Sequence, residues 1–218
     1  MNRDYGTFDG EAQMNFATNI YRDGDLLSVV VDCGAHGTHV AGIVAAHFPK
    51  QPELNGLAPG AQIVSVKIGD TRLGSSSTGT GQMRGLITVL QNKCDLINMS
   101  YGGPAPRPNV GRIYTEYSNI VNRHGVIFCA SAGNNGPALS SVGSPGGSTS
   151  ALLGIGASVT PQMMLDQYGM RATRKDMQYT WSARGPALDG DLGVDLTAPG
   201  GSLSAAKIEN PRPASTTT

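Results

Sequence analysis

Apolar and polar positions alternate along the chain in blocks that predict strands and helices in turn. An apolar run at residues 29–31 stops at a Gly-containing turn, and a segment rich in Ala and Val then extends from His36 to Pro49. This pattern predicts a strand, a turn and a helix, with His36 in the first helical turn. Residues 61–68 (AQIVSVKI) predict a buried strand.

Two later segments have the apolar spacing of helices that lie on a sheet. The spacing i, i+3, i+4, i+7 is found in Met83, Leu86, Ile87 and Leu90, and a similar spacing in Val110, Ile113, Tyr114, Tyr117 and Val121. Strands are predicted at residues 95–100, 125–131, 151–158 and 193–197. Residues 1–25 are polar and weakly patterned, which leaves loop, edge structure or the tail of an upstream element open.

Strands that alternate with helices predict parallel pairing through right-handed crossovers. We therefore expect an α/β fold with a doubly wound parallel sheet and helices on both faces. The functional groups of such a sheet lie at the carboxyl ends of its strands. At those ends the chain contains Gly, Ser and Asn, in residues 98–102 (NMSYG), 131–136 (SAGNNG) and 197–200 (TAPG).

The composition narrows the classes of partner. The chain has 218 residues, enough for one large domain, and its 16 basic and 16 acidic residues give no electrostatic reason to expect nucleic acid or an anionic membrane. It contains no run of about 18 apolar residues, so we expect no membrane span. Three cysteines form an odd set that favours a reducing compartment, and we predict a cytoplasmic protein.

His36 is the first candidate for chemistry. The unpaired N–H groups and the positive dipole of a helix amino terminus disfavour a second positive charge, and a neutral imidazole is suited to act as a general base. A buried, hydrogen-bonded histidine is the plain alternative. A metal site formed with His39 and His47 is a further alternative, but no Cys or acidic cluster adds a ligand. We therefore expect neither a metal nor a cofactor.

The motif HGTHVAG at residues 36–42 resembles the catalytic-histidine motif of subtilisin-like serine peptidases. The resemblance extends to KCDLINMSYGG, SAGNNGPALSSVG, SPGG, YTWSARGP and TAPGG, in the order of such a domain. It implies that a peptide is the substrate, that His36 is the general base, and that Asn134 donates its amide to an oxyanion hole. It also implies that Gly133 and the segment Ser100, Tyr101 and Gly102 bind the substrate backbone. Without the resemblance, the spacing alone favours an ordinary turn residue at Asn134.

Within this family the motifs are most similar to a branch of large cytosolic exopeptidases that release tripeptides from free amino termini and form very large homo-oligomers. The branch uses an Asp, His, Ser triad whose serine lies in a GTSMxSP motif, and these 218 residues contain no such motif. Asp32 resembles the triad aspartate in its local motif, but it lies close to His36 on one strand-turn-helix connection, which favours a turn or capping role.

We expect a peptidase domain over residues 26–205, incomplete at both ends, and we expect the chain alone to be inactive. Residues 1–25 are a lead-in, and residues 206–218 are predicted to be disordered.

Two positions depart from the pattern that implies exopeptidase specificity. The branch binds the substrate ammonium with glutamates in segments resembling METGTG and SYGE, where this chain has Ser77 and Gly103. The release of tripeptides from free amino termini is therefore less strongly implied than peptide hydrolysis itself.

Two functions from other classes remain open. One is a nucleotide-binding α/β module, because Gly79, Gly81 and Gly85 resemble a loosened dinucleotide fingerprint, although ten residues separate it from the preceding strand. The other is a non-catalytic fragment that acts in binding or assembly. It agrees with both the family motifs and the missing serine motif.

Overall fold

The computed structural model of the protein describes residues 5–8, 15–31, 34–70, 73, 76–105, 107–171 and 175–206. The chain divides into two compact units, Met1–Ile63 with Leu203–Thr218, and Val64–Ser202. In the part of the chain that the structure describes, no helix has the length and apolar character needed to cross a membrane.

The first unit contains a three-stranded sheet in the order β1-β2-β3, formed by β1 (Tyr5–Thr7), β2 (Asn15–Tyr21) and β3 (Leu26–Val31). All its pairs are antiparallel. The prediction that the strand before His36 joins a parallel sheet is therefore wrong. The reason is the short connection between β2 and β3, a 3₁₀ turn at Arg22–Gly24. A parallel pair needs a crossover of about a dozen residues.

Helix α1 (His36–Ala45) follows β3 and confirms the predicted helix, although it ends before Pro49. Its last carbonyls are satisfied by the loop that follows. Gly56 N–H donates to Ala46, Leu57 to Ile43 and Ala58 to Val44, at 2.8, 3.0 and 2.7 Å. Gly56 must be small because a Cβ there would lie 2.6 Å from the backbone nitrogen of Ala45. A 3₁₀ turn at Pro52–Leu54 precedes this contact.

The second unit holds the parallel sheet. Its elements are β4 (Gly69–Asp70), β5 (Ser76–Ser77), α2 (Gly79–Gln91), β6 (Leu96–Met99), α3 (Arg112–His124), β7 (Ile127–Ser131), β8 (Leu153–Val159), α4 (Pro161–Tyr168), β9 (Met177–Gln178) and β10 (Leu196–Pro199). Strands β10, β8, β7 and β6 pair in that order and are all parallel. Strand β9 pairs antiparallel with β8, and β4 pairs antiparallel with β5.

Helices cover both faces of this sheet, as predicted. Phe128 and Ala130 of β7 face the main core, to which Leu86 of α2 and Tyr117 of α3 contribute. Ala130 is opposite Gly154, so Val159, an odd number of residues further along β8, points to the other face. There Val159 packs in a second cluster with Met164 of α4. Side chains of Thr78 and Thr160 cap α2 and α4, as expected for this residue type.

Two predicted features differ in the structure. Residues 61–68 form no strand, and Ile63 and Val64 are 47% and 40% exposed. The apolar pattern predicts which positions are buried, but a strand also needs a neighbouring strand to pair with, and the pattern does not predict one. In α2 the buried residues are Gly85, Leu86 and Val89, whereas Ile87 and Leu90 of the predicted stripe are exposed.

The buried face of α2 packs in the main core and also contacts the segment before the helix. A Cβ at Gly85, which is buried, would lie 3.4 Å from both Ile68 and Val66. Ile87, which lies off that face, is half exposed. The 3.6-residue period therefore predicted the helix correctly, but the predicted apolar stripe is rotated about the helix axis from the face that is buried.

Candidate functional site

The parallel register brings two polar loops to one edge of the sheet in the second unit. Met99 is opposite Ala130, and Ser131 is opposite Ile155, so the carboxyl ends of β6 and β7 are neighbours. Residues 100–103 follow β6 and residues 132–136 follow β7. This is the edge where functional groups of parallel sheets gather, and it holds all the predicted site residues of this unit.

The segment after β6 has one side paired and one side open. Gly103 N–H donates to Ser144 O at 2.9 Å, and Ser144 N–H donates to Gly103 O at 2.8 Å. Because hydrogen-bonded and non-bonded residues alternate in antiparallel pairing, the backbone groups of Gly102 face away from Ser144. Ser100 and Gly102 are exposed, and Gly102 makes no backbone hydrogen bond to another described residue. An extended peptide can therefore add to this side as a further strand.

The loop after β7 is held in one conformation by its backbone. Gly133 has φ of 115°, and a Cβ there would lie 3.2 Å from the nitrogen of Gly143. Its N–H donates to Ser131 Oγ at 3.2 Å, and its carbonyl accepts from Ala183 at 3.0 Å. Asn134, next in the chain, is exposed. A fixed loop that presents an exposed side-chain amide has the form of a preorganised hydrogen-bond donor.

Gly143 and Ser144 connect these two segments, and the sequence analysis assigned them no role. Gly143 N–H donates to Ala132 O at 2.7 Å, and a Cβ at residue 143 would lie 2.8 Å from Gly103 O. The Tyr114 hydroxyl and Ser144 Oγ are 2.7 Å apart, in a hydrogen bond of either direction. The run of Gly and Pro in SVGSPGG was the available signal, because such a run marks a close backbone approach.

A cavity of about 460 Å³ adjoins Gly102 and the bridge between Gly103 and Ser144. Its lining includes both positions that depart from the exopeptidase pattern, Ser77 and Gly103. The described residues that line it are Ser76, Ser77, Gln82, Met99, Tyr101, Gly102, Gly103, Pro104, Ile113, Tyr117, Ser144 and Pro145, and none of these is charged. The structure thus brings two residues 26 positions apart in the sequence to one cavity.

A chain of hydrogen bonds crosses the wall of this cavity. The Tyr117 hydroxyl donates to Gln82 Oε1 at 2.8 Å, and Gln82 Nε2 donates to Ser77 Oγ at 2.5 Å. Burial raises the pKa of Tyr117, followed by a smaller effect of the neighbouring Tyr114, so the phenol stays protonated. Tyr101 also lines the cavity, and its hydroxyl is buried without a hydrogen-bond partner among the described residues.

A second cavity, of about 320 Å³, is also lined by Pro104. Its lining combines Asn135, the neighbour of Asn134, with Ser148, whose side chain is 2% exposed. Ser148 Oγ has no hydrogen-bond partner within the described part of the chain. Both cavities adjoin the polar loops at the carboxyl edge of the sheet.

His36 belongs to the first unit, whereas Asn134 and residues 100–102 belong to the second. It is the first residue of α1, as predicted, and it is exposed. The residue before the helix, Ala35, provides no side-chain cap. Among the described residues, no three His, Cys, Asp or Glu side chains are grouped so that they could hold a metal ion. Asp32 lies outside the described residues.

The glycines of the nucleotide-binding alternative also have a defined place. Gly79 and Gly81 lie in the first turn of α2, and Gly81 N–H donates to the capping Thr78 side chain at 3.1 Å. The strand before them, β5, belongs to an antiparallel pair. A dinucleotide fingerprint follows a strand of the parallel sheet, so this arrangement has a different topology.

Comparisons with known proteins agree with this architecture. The model of the Subtilase family matches residues 1–218. Tripeptidyl-peptidase 2 of Oryza sativa subsp. japonica is 53% identical over 205 residues, which cover 94% of this chain, and that of Arabidopsis thaliana is 51% identical over 93% of it. The crystal structure of Tripeptidyl Peptidase 2 superposes with a TM-score of 0.73 at 38% identity, over 91% of this chain. The chain spans about 15% of the length of each of these three proteins.

Proposed function

The chain belongs to the subtilase family of serine peptidases, and from this premise we propose that it is part of a peptidase that releases tripeptides from the amino termini of oligopeptides. The observation that carries the proposal is the carboxyl edge of the parallel sheet. There the open backbone of Gly102 and the fixed loop at Gly133 and Asn134 follow neighbouring strands. A backbone edge for the substrate beside an amide donor is what acyl transfer from a peptide needs.

In this proposal each candidate residue has a separate role. His36 removes the proton from the attacking hydroxyl as the general base, and Asn134 donates its side-chain amide to the developing oxyanion. Ser100, Tyr101 and Gly102 hold the substrate backbone, and Gly133 gives the loop its shape. The roles of these residues and of Asp32 stay predictions, as do the cytoplasmic location and assembly into large homo-oligomers.

The first experiment concerns these 218 residues alone. They contain no GTSMxSP motif, and a triad without its serine should lose on the order of 10⁶ in kcat, a magnitude taken from a subtilisin. We expect no turnover of a tripeptidyl reporter and no labelling by a fluorophosphonate. Labelling at any serine would show that the chain contains its own nucleophile. It would also exclude the alternative of a non-catalytic fragment that acts in binding or assembly.

The second experiment uses a longer form that contains the serine. We expect His36→Ala nearly to abolish turnover. Asn134→Ala should lower kcat by about 10² to 10³ with little change in KM, because the amide acts only on the transition state. A large rise in KM with unchanged kcat would instead assign Asn134 to substrate binding or to the turn.

The third experiment concerns specificity for the substrate amino terminus. Since neither Ser77 nor Gly103 offers a carboxylate to the cavity they share, preference for a free ammonium should be weak. We would compare a free tripeptide reporter with its N-acetylated form, in the longer parent and in a Ser77→Glu, Gly103→Glu variant. Position 103 has room, because no atom lies within 4 Å of a Cβ built there.

We expect nearly equal rates for the two reporters in the parent and a strong preference for the free amine in the variant. The idea fails if the parent already rejects the acetylated reporter about a hundredfold. Another residue would then bind the amino terminus.

A further inference from the structure

Two residues, Gly143 and Ser144, tie together the polar loops at the carboxyl edge of the sheet, and we call this pair the junction. Ser144 exchanges two backbone hydrogen bonds with Gly103, of 2.9 and 2.8 Å. Gly143 N–H donates to Ala132 O at 2.7 Å. Gly103 ends the segment that is open to a substrate backbone, and Ala132 begins the loop that carries Asn134. The junction therefore fixes how the open segment lies relative to this loop.

The side chain of Ser144 connects the junction to a third element. Its Oγ and the Tyr114 hydroxyl are 2.7 Å apart, in a hydrogen bond of either direction. Within the described part of the chain, Ser144 Oγ makes no other hydrogen bond. Tyr114 lies in the first turn of α3, outside both loops. One tyrosine hydroxyl thus links this helix to the junction.

The position of the Tyr114 ring is set by the main core. The ring packs edge-on against Tyr117, with centroids 6.3 Å apart and an interplanar angle of 83°. Tyr117 in turn packs edge-on against Phe128 of β7, which is 2% exposed. Side chains packed in this way have little freedom to move. The core therefore determines where the Tyr114 hydroxyl lies.

The ring and the hydroxyl of Tyr114 have separable effects. A phenylalanine would fill the same space in the core, and it would lose only the hydrogen bond to Ser144. That bond bears on the reaction because an amide donor acts on the oxyanion only if it is held in place beforehand. A displacement of about 1 Å caused by a remote change can lower a rate about 10²-fold.

We propose that Tyr114 is a positioning residue for peptide hydrolysis. Its hydroxyl fixes Ser144, and the junction thereby holds the loop of Asn134 in register with the open backbone at Gly102. Tyr114 itself contacts neither the substrate nor the reacting atoms. The role rests on the proposed function, since the register matters only if a peptide binds along Gly102 and reacts beside Asn134.

The first test needs no activity and uses the 218-residue chain. Amide hydrogen exchange is measured by NMR for the three N–H groups of the junction and its bridge, those of Gly103, Gly143 and Ser144. The rates are taken relative to those of amides in β7, which corrects for changes in overall stability. In Tyr114→Phe the three amides should exchange about three- to tenfold faster than in wild type, the value of one neutral hydrogen bond. Ser144→Ala removes the other partner of the same bond and should have the same effect at Gly103 and Gly143.

Tyr117→Phe is the matched control. It removes a hydroxyl from the neighbouring ring of the same helix, but that hydroxyl donates to Gln82 and not to the junction. The relative exchange rates of the junction amides should therefore stay within about twofold of wild type. Faster exchange only in Tyr114→Phe assigns the effect to the bond with Ser144 and not to a general loss of packing.

The second test uses the longer form that contains the serine. Tyr114→Phe should lower kcat about three- to tenfold and change KM by less than about twofold, because the amide acts on the transition state. Adding Ser144→Ala should cause little further loss, since both changes break one bond. In an Asn134→Ala background, Tyr114→Phe should lower kcat by less than about twofold, because the amide to be positioned is gone. A residue that only stabilises the fold would show no such coupling to Asn134.

Three results contradict the positioning role. If the junction amides keep their relative exchange rates in Tyr114→Phe, the hydroxyl does not hold the junction, whereas the proposed function stands. If they exchange faster but kcat is unchanged, or falls equally with and without Asn134, Tyr114 stabilises the junction without positioning the amide. If the longer form hydrolyses no peptide, the proposed function fails and the positioning role fails with it. Should Tyr114→Phe not fold, as judged by Trp181 fluorescence, Ser144→Ala decides in the same two tests.

Discussion

The two compact units use similar strand residues but bury them to different extents. In the antiparallel sheet of the first unit, Ile20 and Leu27 are 65% and 60% exposed. In the parallel sheet of the second unit, Phe128 and Val159 are 2% and 4% exposed. The difference lies in the helices that cover both faces of the parallel sheet. Strand-forming residues thus specify a strand, but packing against a second layer decides whether it is buried.

The same contrast appears in the polar groups at helix starts. Thr78 and Thr160 cap the helices α2 and α4 of the second unit. Helix α1 of the first unit begins after Ala35 without a side-chain cap. The second unit is therefore the one whose strand residues are buried and in which two of the three described helices begin with a side-chain cap. We expect it to account for most of the stability of the chain, and the predictions below test this difference.

The largest effect is expected from a core substitution in the second unit. Phe128→Ala removes a ring that packs edge-on against Tyr117 at 5.3 Å between centroids, and it should cost about 3–5 kcal/mol of unfolding free energy. Val30→Ala, at a position 44% exposed in the first unit, should change it by less than about 0.5 kcal/mol. Urea unfolding monitored by the single tryptophan, Trp181, and by circular dichroism measures both. Similar losses at the two positions would remove the contrast between the sheets.

The glycines beside the two candidate catalytic residues provide the next comparison. Gly133→Ala places a Cβ at a backbone φ of 115° and 3.2 Å from the nitrogen of Gly143, and it should destabilise the second unit by about 1–3 kcal/mol. Gly37, within α1, has no atom within 4 Å of a built Cβ. Gly37→Ala should therefore stabilise by about 0.5–1 kcal/mol. Thermal unfolding should shift in opposite directions for the two variants. A shared sign would mean that the backbone is equally constrained at the two glycine positions.

The sequence predicted the parts of the second unit that depend on local patterns. The alternation of apolar segments indicated β6, β7, β8, α2 and α3 within a few residues, and the comparisons with known proteins confirm the subtilisin-like α/β fold. The Gly- and Asn-containing segments lie at the carboxyl ends of parallel strands, as predicted. Local period and turn chemistry were sufficient for these features because adjacent crossovers leave few alternatives for the pairing.

The features that the sequence did not predict depend on contacts between distant residues. The antiparallel pairing of β3 depends on a strand in the weakly patterned residues 1–25. The hydrogen bonds among Ser77, Gln82 and Tyr117 join three elements, and no spacing rule relates them. The bridge between Gly103 and Ser144 connects segments 41 residues apart. Hydrophobic periodicity predicts which positions are buried, but it does not predict which residues they contact.

A smaller effect is expected at the helix starts. Thr160→Ala removes the oxygen that accepts from Met163 N–H at 3.2 Å, and it should cost about 1 kcal/mol. Ala35→Ser should change stability by less than about 0.5 kcal/mol. Ala35 has φ of −82° and ψ of −15°, whereas a capping residue adopts the extended conformation that Thr160 has. Both changes can be measured by thermal unfolding. A gain of about 1 kcal/mol from Ala35→Ser would show that α1 lacks only the capping oxygen.

The smallest effect is predicted for Tyr101, where the second unit departs from its own pattern. Its hydroxyl is buried without a partner among the described residues, whereas that of Tyr117, in the same cavity wall, donates to Gln82. Removing an unpaired buried hydroxyl relieves a desolvation cost, so Tyr101→Phe should stabilise by up to about 1 kcal/mol. Tyr117→Phe leaves Gln82 Oε1 without its donor and should cost about that amount. In a chain of this size the two melting temperatures should differ from wild type by about 2–4 °C in opposite directions. If Tyr101→Phe instead destabilises as much as Tyr117→Phe, the Tyr101 hydroxyl forms a hydrogen bond in solution. The second unit then has no unpaired tyrosine hydroxyl at this cavity.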